Sequence, residues 1–134
     1  MEERLLGPSG FLVSVFGLGT MTFGAEADET VSRDLLDTYV DRGGRFIDTA
    51  DVYSSGVAEE IIGRWLQRRG RRDDIVLATK GRFPMGPSAG AQGAGHAYLS
   101  GAIDDSLRRL GVDSVDLYQV HGWDQNTELD ETLG

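Results

Sequence analysis

The chain contains no cysteine among its 134 residues, so neither a disulfide nor a thiolate metal site can form. It has only two histidines, and we therefore expect no metal site. An absence of cysteine agrees with a reducing compartment, and we expect a cytoplasmic location. No apolar run approaches the roughly 18 residues that a membrane-spanning helix needs, so we expect no membrane partner.

Positive charge is also scarce. Thirteen Lys and Arg against 22 Asp and Glu give a formal net charge of −9, which disfavours nucleic acid as a partner because phosphates repel an acidic surface. The one basic cluster, RWLQRRGRR at 64–72, is typical of the exposed side and last turn of a helix. Lys80 is the only lysine, since the other cations are all arginine. A lysine kept in such a chain suggests a role that needs a compact ammonium.

Short apolar and β-branched runs recur along the chain and are typical of buried strands. They are VSVFGLG (13–19), RFIDTA (45–50), DIVLATK (74–80) and SVDLYQV (114–120). Segments with helical periodicity lie between them, at residues 28–43, 56–70 and 96–111. This alternation predicts an α/β fold with a parallel sheet and right-handed crossovers. A (β/α) barrel and a doubly wound open sheet both satisfy it.

Capping residues set the ends of these predicted helices. Asp28 is placed to cap the first, and Ser54 or Ser55 lies upstream of the second. Glycines at positions 43, 70 and 111 are placed to end the three helices. The apolar face of the first helix comprises Val31, Leu35, Leu36, Tyr39 and Val40.

Three further segments complete the predicted organisation. RLLGPSGFLVS at 4–14 predicts a short β-hairpin, and FPMGPSAGAQGAG at 83–95 predicts a long, mobile loop that shapes a substrate pocket. NTELDETLG at 126–134 opens like a fourth helix, with Thr127 placed as its cap. Four strands, three helices and this last start would leave two open sheet edges. We therefore expect the chain to be half of a larger fold and to associate with itself.

Polar residues of four kinds follow the predicted strands. Asp48 and Tyr53 come at or after the second strand, Lys80 ends the third, and His121 follows the fourth. Because the carboxyl ends of parallel strands meet at one edge of the sheet, we expect these side chains to converge. Each alone has a structural explanation, such as a turn cap or a core histidine. Their joint placement at matching strand ends favours a functional site.

The four groups suit acid catalysis at a carbonyl. An unperturbed phenol has a pKa of about 10, too high for easy proton transfer at neutral pH, and a nearby ammonium lowers that pKa. A buried ammonium in turn needs a carboxylate, which Asp48 would supply to Lys80. The imidazole of His121 would hydrogen-bond and orient the substrate oxygen.

The segments that carry these residues resemble the aldo-keto reductase family. The matching motifs are FGLGTMTFG (16–24), FIDTADVYSSGVAEEIIGRWL (46–66), IVLATKG (75–81) and SLRRLGVDSVDLYQVHGWD (106–124). The resemblance implies a (β/α)₈ barrel of the TIM type. Residues 1–134 would be its N-terminal half, comprising about four strand–helix units after the hairpin and no second domain. It also implies NADPH as cofactor and the reduction of an aldehyde or ketone to an alcohol.

The resemblance also implies a role for individual residues. The catalytic tetrad would be Asp48, Tyr53, Lys80 and His121, with Tyr53 as the proton donor. The residues along the cofactor would be Gly19, Thr20, Met21 and Asp48. The residues that contact the small carbonyl substrate would be Tyr53, His121 and Trp123.

Other functions stay open. The family's members are more than twice as long, and most of their cofactor-binding residues have no counterpart here, so we expect a fragment. A non-catalytic half-barrel that binds or assembles with another half is the main alternative. A small, self-sufficient half-barrel that binds a ligand at its strand ends is a third. An open-sheet dinucleotide-binding dehydrogenase is disfavoured because GLGTMTFG (17–24) lacks the G-x-G-x-x-G spacing.

Overall fold

The structure is a computed structural model that describes residues 1–88 and 90–134. In this part of the chain the strands are β1 (Glu3–Leu5), β2 (Leu12–Ser14), β3 (Leu18–Gly19), β4 (Phe46–Asp48), β5 (Val76–Gly81) and β6 (Leu117–Val120). The α-helices are α1 (Glu29–Asp41), α2 (Val57–Arg69), α3 (His96–Leu110) and α4 (Leu129–Leu133). Single 3₁₀ turns span Gly7–Ser9 and Tyr53–Gly56.

Strands β3 to β6 form one parallel sheet in chain order, and each is followed by a helix. The register pairs Gly19 with Asp48, Asp48 with Ala78, and Lys80 with Gln119. Because side chains alternate along a strand, Asp48, Lys80 and Gln119 lie on one face near the carboxyl ends. The predicted parallel α/β arrangement is confirmed.

The first predicted strand, residues 13–19, is divided between two sheets. Its first part belongs to β2, which pairs with β1 in the antiparallel hairpin expected at 4–14, while its last part is β3. A bend separates the two. The Ser14 hydroxyl lies 2.9 Å from the Phe16 carbonyl oxygen and 2.7 Å from the Tyr39 hydroxyl. The prediction of one continuous strand was therefore wrong, because side-chain hydrogen bonds turn the chain in its middle.

The core lies between the parallel sheet and its helices. Its largest fully buried side chains include Trp65, Leu36, Ile47, Ile61, Ile62, Leu77 and Leu110. The apolar face predicted for α1 is only partly correct, since Leu36 is buried but Val31 and Leu35 are exposed. Among the described helices, α1 makes its main contact with α2.

Most predicted helix ends are confirmed. The Asp28 carboxylate accepts a hydrogen bond from the Val31 N–H at 2.9 Å and caps α1. Gly70 and Gly111 adopt left-handed torsions directly after α2 and α3, and Gly43 has a positive φ one residue after the C-cap of α1. This conformation carries little cost for glycine and lets the chain leave each helix.

Two predicted caps are wrong. Helix α2 begins after Gly56 without a side-chain cap, because Ser54 and Ser55 belong to the preceding 3₁₀ turn. Helix α4 begins after Glu128, because the Thr127 hydroxyl instead donates to Asp124 Oδ2 at 2.9 Å.

The loop predicted at 83–95 contains no helix or strand among its described residues, and residue 89 lies outside them. The basic cluster at 64–72 is largely neutralised, because four of its arginines form ion pairs with carboxylates, namely Arg64, Arg69, Arg71 and Arg72. Nowhere in residues 1–88 or 90–134 is there a helix with the length and apolar content to cross a membrane.

Candidate active site

Lys80 is the centre of a polar cluster at the carboxyl end of the sheet. Its side chain is 13% exposed, and the ammonium lies 2.6 Å from Asp48 Oδ2. The same nitrogen donates to the Thr49 carbonyl oxygen at 2.9 Å and lies 3.3 Å from the Tyr53 hydroxyl. Three oxygens from three directions suit a tetrahedral ammonium, which a planar guanidinium could not replace in the same space.

Asp48 is held from both sides at the end of β4. While Oδ2 accepts from Lys80, Oδ1 accepts from Gln119 Nε2 at 3.1 Å. Gln119 was not among the residues predicted from the sequence. The sequence of β6 does point to this residue, because an amide side chain occurs among apolar neighbours in a predicted strand. In the structure it pairs in register with Lys80. Both carboxylate oxygens are thereby occupied, which fixes the ion pair in one geometry.

Tyr53 begins the 3₁₀ turn that follows β4. The next two residues, Ser54 and Ser55, have left-handed torsions with φ of 50° and 53°. This backbone is unfavourable for residues other than glycine, and the Ser54 hydroxyl supports it by donating to the Phe23 carbonyl oxygen at 2.7 Å. The tight turn brings the phenol ring back over the sheet, with Lys80 Nζ 5.0 Å from the ring centroid.

His121 follows β6, and its backbone N–H donates to the Gly81 carbonyl oxygen at 2.9 Å. Its ring meets Tyr53 edge-on at 5.6 Å between centroids and Phe83 at 4.8 Å. Burial lowers the pKa of His121, and the positive charge of Lys80 lowers it further. The imidazole is therefore neutral at pH 7 and can donate one N–H hydrogen bond.

Residues 19–21 are the segment expected along the cofactor, and two of them, Gly19 and Met21, are accessible from outside. Nothing lies within 4 Å of the Cβ position at Gly19, and the Met21 side chain is 66% exposed. Thr20 is fully buried, and both its N–H and its hydroxyl donate to the Asp48 carbonyl oxygen at 3.1 Å. Thr20 therefore holds the backbone of Asp48 in place, and its own side chain is not exposed at the site.

Trp123 stands apart from the other predicted site residues. It is 77% exposed and lines a separate cavity of about 250 Å³ together with Val120 and Leu129. Within the described residues, the aromatic pairs at the site are Tyr53 with His121 and His121 with Phe83. The structure therefore brings four of the predicted residues together and leaves Trp123 outside their contacts.

A second polar cluster, which was not predicted from the sequence, contains the buried carboxylates Glu59 and Asp51. Glu59 is fully buried and accepts from the Thr79 hydroxyl at 2.5 Å and from Arg109 Nε at 2.6 Å. Asp51 is also fully buried, and neither carboxyl oxygen has a side-chain hydrogen-bond partner among the described residues. Burial raises the pKa of Asp51 to about 6. The described residues contain no group of His, Cys, Asp and Glu that could hold a metal ion.

The chemistry available at the first cluster follows from its contacts. An ammonium beside a phenol stabilises the negative charge that develops as the phenol gives up its proton. The carboxylate balances the ammonium, and a neutral imidazole next to the phenol can donate to the same acceptor atom. The arrangement is suited to delivering a proton to an oxygen placed between Tyr53 and His121.

Comparisons with known proteins find similar sequences along almost the whole chain. The model of the Aldo/keto reductase family matches residues 15–134. Norsolorinic acid reductase A from Aspergillus parasiticus is 39% identical over 145 residues, which cover 98% of this chain and 37% of that protein. The NADP(+) aldo-keto reductase yakc from Schizosaccharomyces pombe is 36% identical over 127 residues, which cover 91% of this chain and 37% of that protein.

A solved structure extends the likeness to three dimensions. An aldo-keto reductase from Bacillus halodurans, in its holo form, superposes with a TM-score of 0.85 at 42% identity. The match covers 98% of this chain and 44% of that one. The fold is therefore part of a TIM-type barrel. The chain spans less than half the length of the relatives it matches.

Proposed function

The chain belongs to the aldo/keto reductase family, and from this premise we propose that it acts in the NADPH-dependent reduction of an aldehyde or ketone to an alcohol. Membership of the family supports oxidoreduction in general. The observation that carries the finer proposal is the 3.3 Å distance from Lys80 Nζ to the Tyr53 hydroxyl, with Asp48 at 2.6 Å from the same nitrogen. The choice of NADPH is supported by the relative whose name includes NADP(+).

The rim at the end of β3 fits the nicotinamide end of such a cofactor. Gly19 presents open backbone, Met21 an exposed side chain, and Asp48 a carboxylate that is 29% exposed. A flat ring needs backbone that it can approach closely, which glycine allows. These three residues would hold that end, and the bound cofactor would supply the hydride.

The proton side of the reaction belongs to this chain's own residues. The Tyr53 hydroxyl would give its proton to the carbonyl oxygen, and the Lys80 ammonium would stabilise the tyrosinate that remains. The neutral His121 ring would donate a hydrogen bond to the same oxygen and orient it. Hydride on the carbon and the proton on the oxygen together give the alcohol, so atoms and charge balance.

Removing the Tyr53 hydroxyl tests this assignment. We expect Tyr53→Phe to lower the rate of NADPH oxidation with benzaldehyde at least about 100-fold, because the general acid is lost. Binding of NADPH, followed by fluorescence, should not change. Tyr118→Phe is the matched control, since its hydroxyl contacts the Leu99 carbonyl oxygen at 3.4 Å, away from the tetrad. Wild-type activity in Tyr53→Phe would refute the role of Tyr53, and inactive wild type would refute catalysis by this chain.

A second candidate function, assembly with another half-barrel, is favoured by the open sheet. Strands β3 and β6 each have a neighbour on one side only within the described residues, and unpaired edges invite pairing with another chain. Large apolar side chains are exposed beside β6, namely Val120, Trp123, Leu129 and Leu133. A second copy of the chain would bring the strand number to the eight at which a TIM barrel closes. This function does not require catalysis.

A further inference from the structure

Backbone strain in this molecule is concentrated beside the candidate active site. Among the described residues other than glycine, positive φ occurs at Ser54, Ser55 and Arg82. The two serines follow Tyr53 directly, and Arg82, with φ of 144°, lies two residues after Lys80. Such torsions are energetically costly and cluster at functional sites. Arg82 is the long, charged side chain among them, so its placement calls for an explanation.

The backbone of Arg82 is fixed on both sides. The preceding carbonyl, of Gly81, accepts from the His121 N–H at 2.9 Å, and the carbonyl of Arg82 itself accepts from the Gly93 N–H at 2.8 Å. The residue is therefore held between the end of β6 and the loop before α3. These bonds maintain the strained torsion and give the side chain a defined starting direction.

The side chain of Arg82 lies next to the catalytic ring contacts. Its guanidinium carbon is 5.1 Å from the centroid of Phe83, which in turn packs edge-on against His121 at 4.8 Å. In the part of the chain that the structure describes, Arg82 has no carboxylate within 4.0 Å, and its buried Nε has no hydrogen-bond partner. It is thus a half-buried cation that forms no ion pair in the described residues, although the pKa of Asp124, which lines the same cavity, is lowered by backbone hydrogen bonds and further by the charge of Arg82.

Asp124, the acid that shares a cavity with Arg82, accepts its hydrogen bonds from neutral groups and forms no ion pair with Arg82 in the described residues. Arg82 lines a cavity of about 410 Å³ with Asp124, Asn126 and Thr127. Asp124 Oδ2 accepts from the Ala94 N–H and the Thr127 hydroxyl, both at 2.9 Å, and Oδ1 accepts from the Asn126 N–H at 3.0 Å.

Two further groups at the rim, Asp48 and His121, form no ion pair with Arg82 in the described residues. The Asp48 carboxylate pairs with Lys80, and burial and Lys80 keep His121 neutral. The guanidinium of Arg82 therefore remains available for an anion.

We propose that Arg82 is a specificity-determining residue that binds a carboxylate on the carbonyl substrate. The proposal rests on the proposed function and narrows its substrate class to aldehydes or ketones that carry a carboxylate. A guanidinium forms paired N–H···O bonds with a carboxylate, and a partly buried one gains more from that pairing than an exposed one. The ring of Phe83 would hold the guanidinium beside the carbonyl-binding residue His121.

The experiment compares two ligands that differ in one charge. The binding of 4-carboxybenzaldehyde and of its methyl ester to the 134-residue chain is measured by NMR titration without cofactor. We expect the acid to bind at least about tenfold more tightly than the ester, because only the acid can form charge-assisted paired hydrogen bonds with the guanidinium. Arg82→Gln should abolish this preference and leave ester binding unchanged.

Arg33→Gln is the matched control. Arg33 is also half-buried with an unpartnered Nε, but it lies on α1, away from the tetrad, so this variant should keep the wild-type preference. Equal binding of acid and ester to the wild type, or a preference that survives in Arg82→Gln, would overturn the proposal. If Arg82→Gln does not fold, Arg82→Lys decides, because a lysine lacks the paired donors. The proposal requires Arg82→Lys to lower the preference for the acid over the ester at least threefold. An unchanged preference in that variant would refute the proposal.

A turnover measurement separates this proposal from the proposed function. The methyl ester is supplied with NADPH to wild type and to Arg82→Gln. Reduction of the ester by both, without an acid preference in binding, would leave the reductase function standing and remove the role of Arg82. An acid preference that depends on Arg82, without any reduction of the ester, would leave the binding role of Arg82 standing and remove the reductase function.

Discussion

At the scale of single residues, the cost of burying charge explains most of the site's construction. Lys80 is nearly buried, yet its ammonium has a carboxylate at 2.6 Å and a carbonyl oxygen at 2.9 Å. These contacts replace the lost water and leave the ammonium free to face the phenol on its remaining side. Asp51, three residues after Asp48, is buried without such partners in the part of the chain that the structure describes.

The isolation of Asp51 predicts a pH-dependent stability. Burial raises its pKa from 3.8 to about 6, so the folded state binds the proton more tightly than the unfolded state. The contribution of protonated Asp51 to the free energy of unfolding is complete below about pH 4 and is lost as the pH rises through about 6. We expect Asp51→Asn to flatten this decline and to increase the free energy of unfolding at pH 8 by up to roughly 2–3 kcal/mol.

Urea unfolding between pH 4 and pH 8 measures the effect of Asp51→Asn. Asp34→Asn, at an exposed position on α1, is the control and should keep the wild-type slope. An Asp51→Asn variant with the same pH dependence as the wild type would show that burial of this carboxyl does not govern the decline.

At the scale of elements, α2 and α3 are joined by a close contact and by an ion pair. Arg109 of α3 reaches Glu59 of α2, which also accepts from Thr79 of β5. At Gly63 a Cβ atom would lie 2.6 Å from the Arg109 carbonyl oxygen and 2.8 Å from that of Leu110. The helices can approach this closely only because position 63 has no side chain.

The contact at Gly63 predicts opposite effects for two glycine substitutions. Gly63→Ala should reduce the free energy of unfolding by about 1–3 kcal/mol, because a methyl group would overlap rigid backbone. Gly101→Ala, in α3 with nothing within 4 Å of its Cβ position, should increase it by about 0.5–1 kcal/mol through helix propensity. Urea unfolding of both variants at one pH measures the difference. Equal stability of Gly63→Ala and wild type would refute the close contact.

At the scale of the whole molecule, the four-stranded sheet has two unsatisfied edges and a net charge of −9. Edge pairing and apolar contacts favour association, whereas like charges oppose it. The proposed half-barrel pairing should therefore strengthen as salt screens the repulsion. The cytoplasmic location expected from the sequence remains a prediction at this scale.

Light scattering after size exclusion tests the association. We expect a two-chain species whose fraction rises with protein concentration and with NaCl between 0.05 and 0.5 M, conditions over which the Debye length falls severalfold, from more than about 10 Å. Val120→Lys, which places a charge on the edge strand, should return the chain to a monomer. Leu5→Lys, at an exposed position in the hairpin, should not. A monomeric wild type at all concentrations would rule out this assembly.

Several features of the fold and site were predictable because they depend on local pattern. Strand–helix alternation predicted the parallel sheet, and the strand-end positions of Asp48, Tyr53, Lys80 and His121 predicted that these side chains meet. Caps such as Asp28 were predictable because they act within one turn of helix. Thr127 failed as a cap because a contact with Asp124 competed for its hydroxyl.

The sequence by itself determined the parallel α/β class, the family and the residues at the strand ends, because periodicity and motif spacing are properties of the chain's own order. Only the tertiary structure decided which partners those residues take. The bond from Gln119 to Asp48, the unpartnered burial of Asp51 and the strained placement of Arg82 depend on the register and packing of distant segments. The energies of such contacts arise between elements, so no single stretch of sequence contains them.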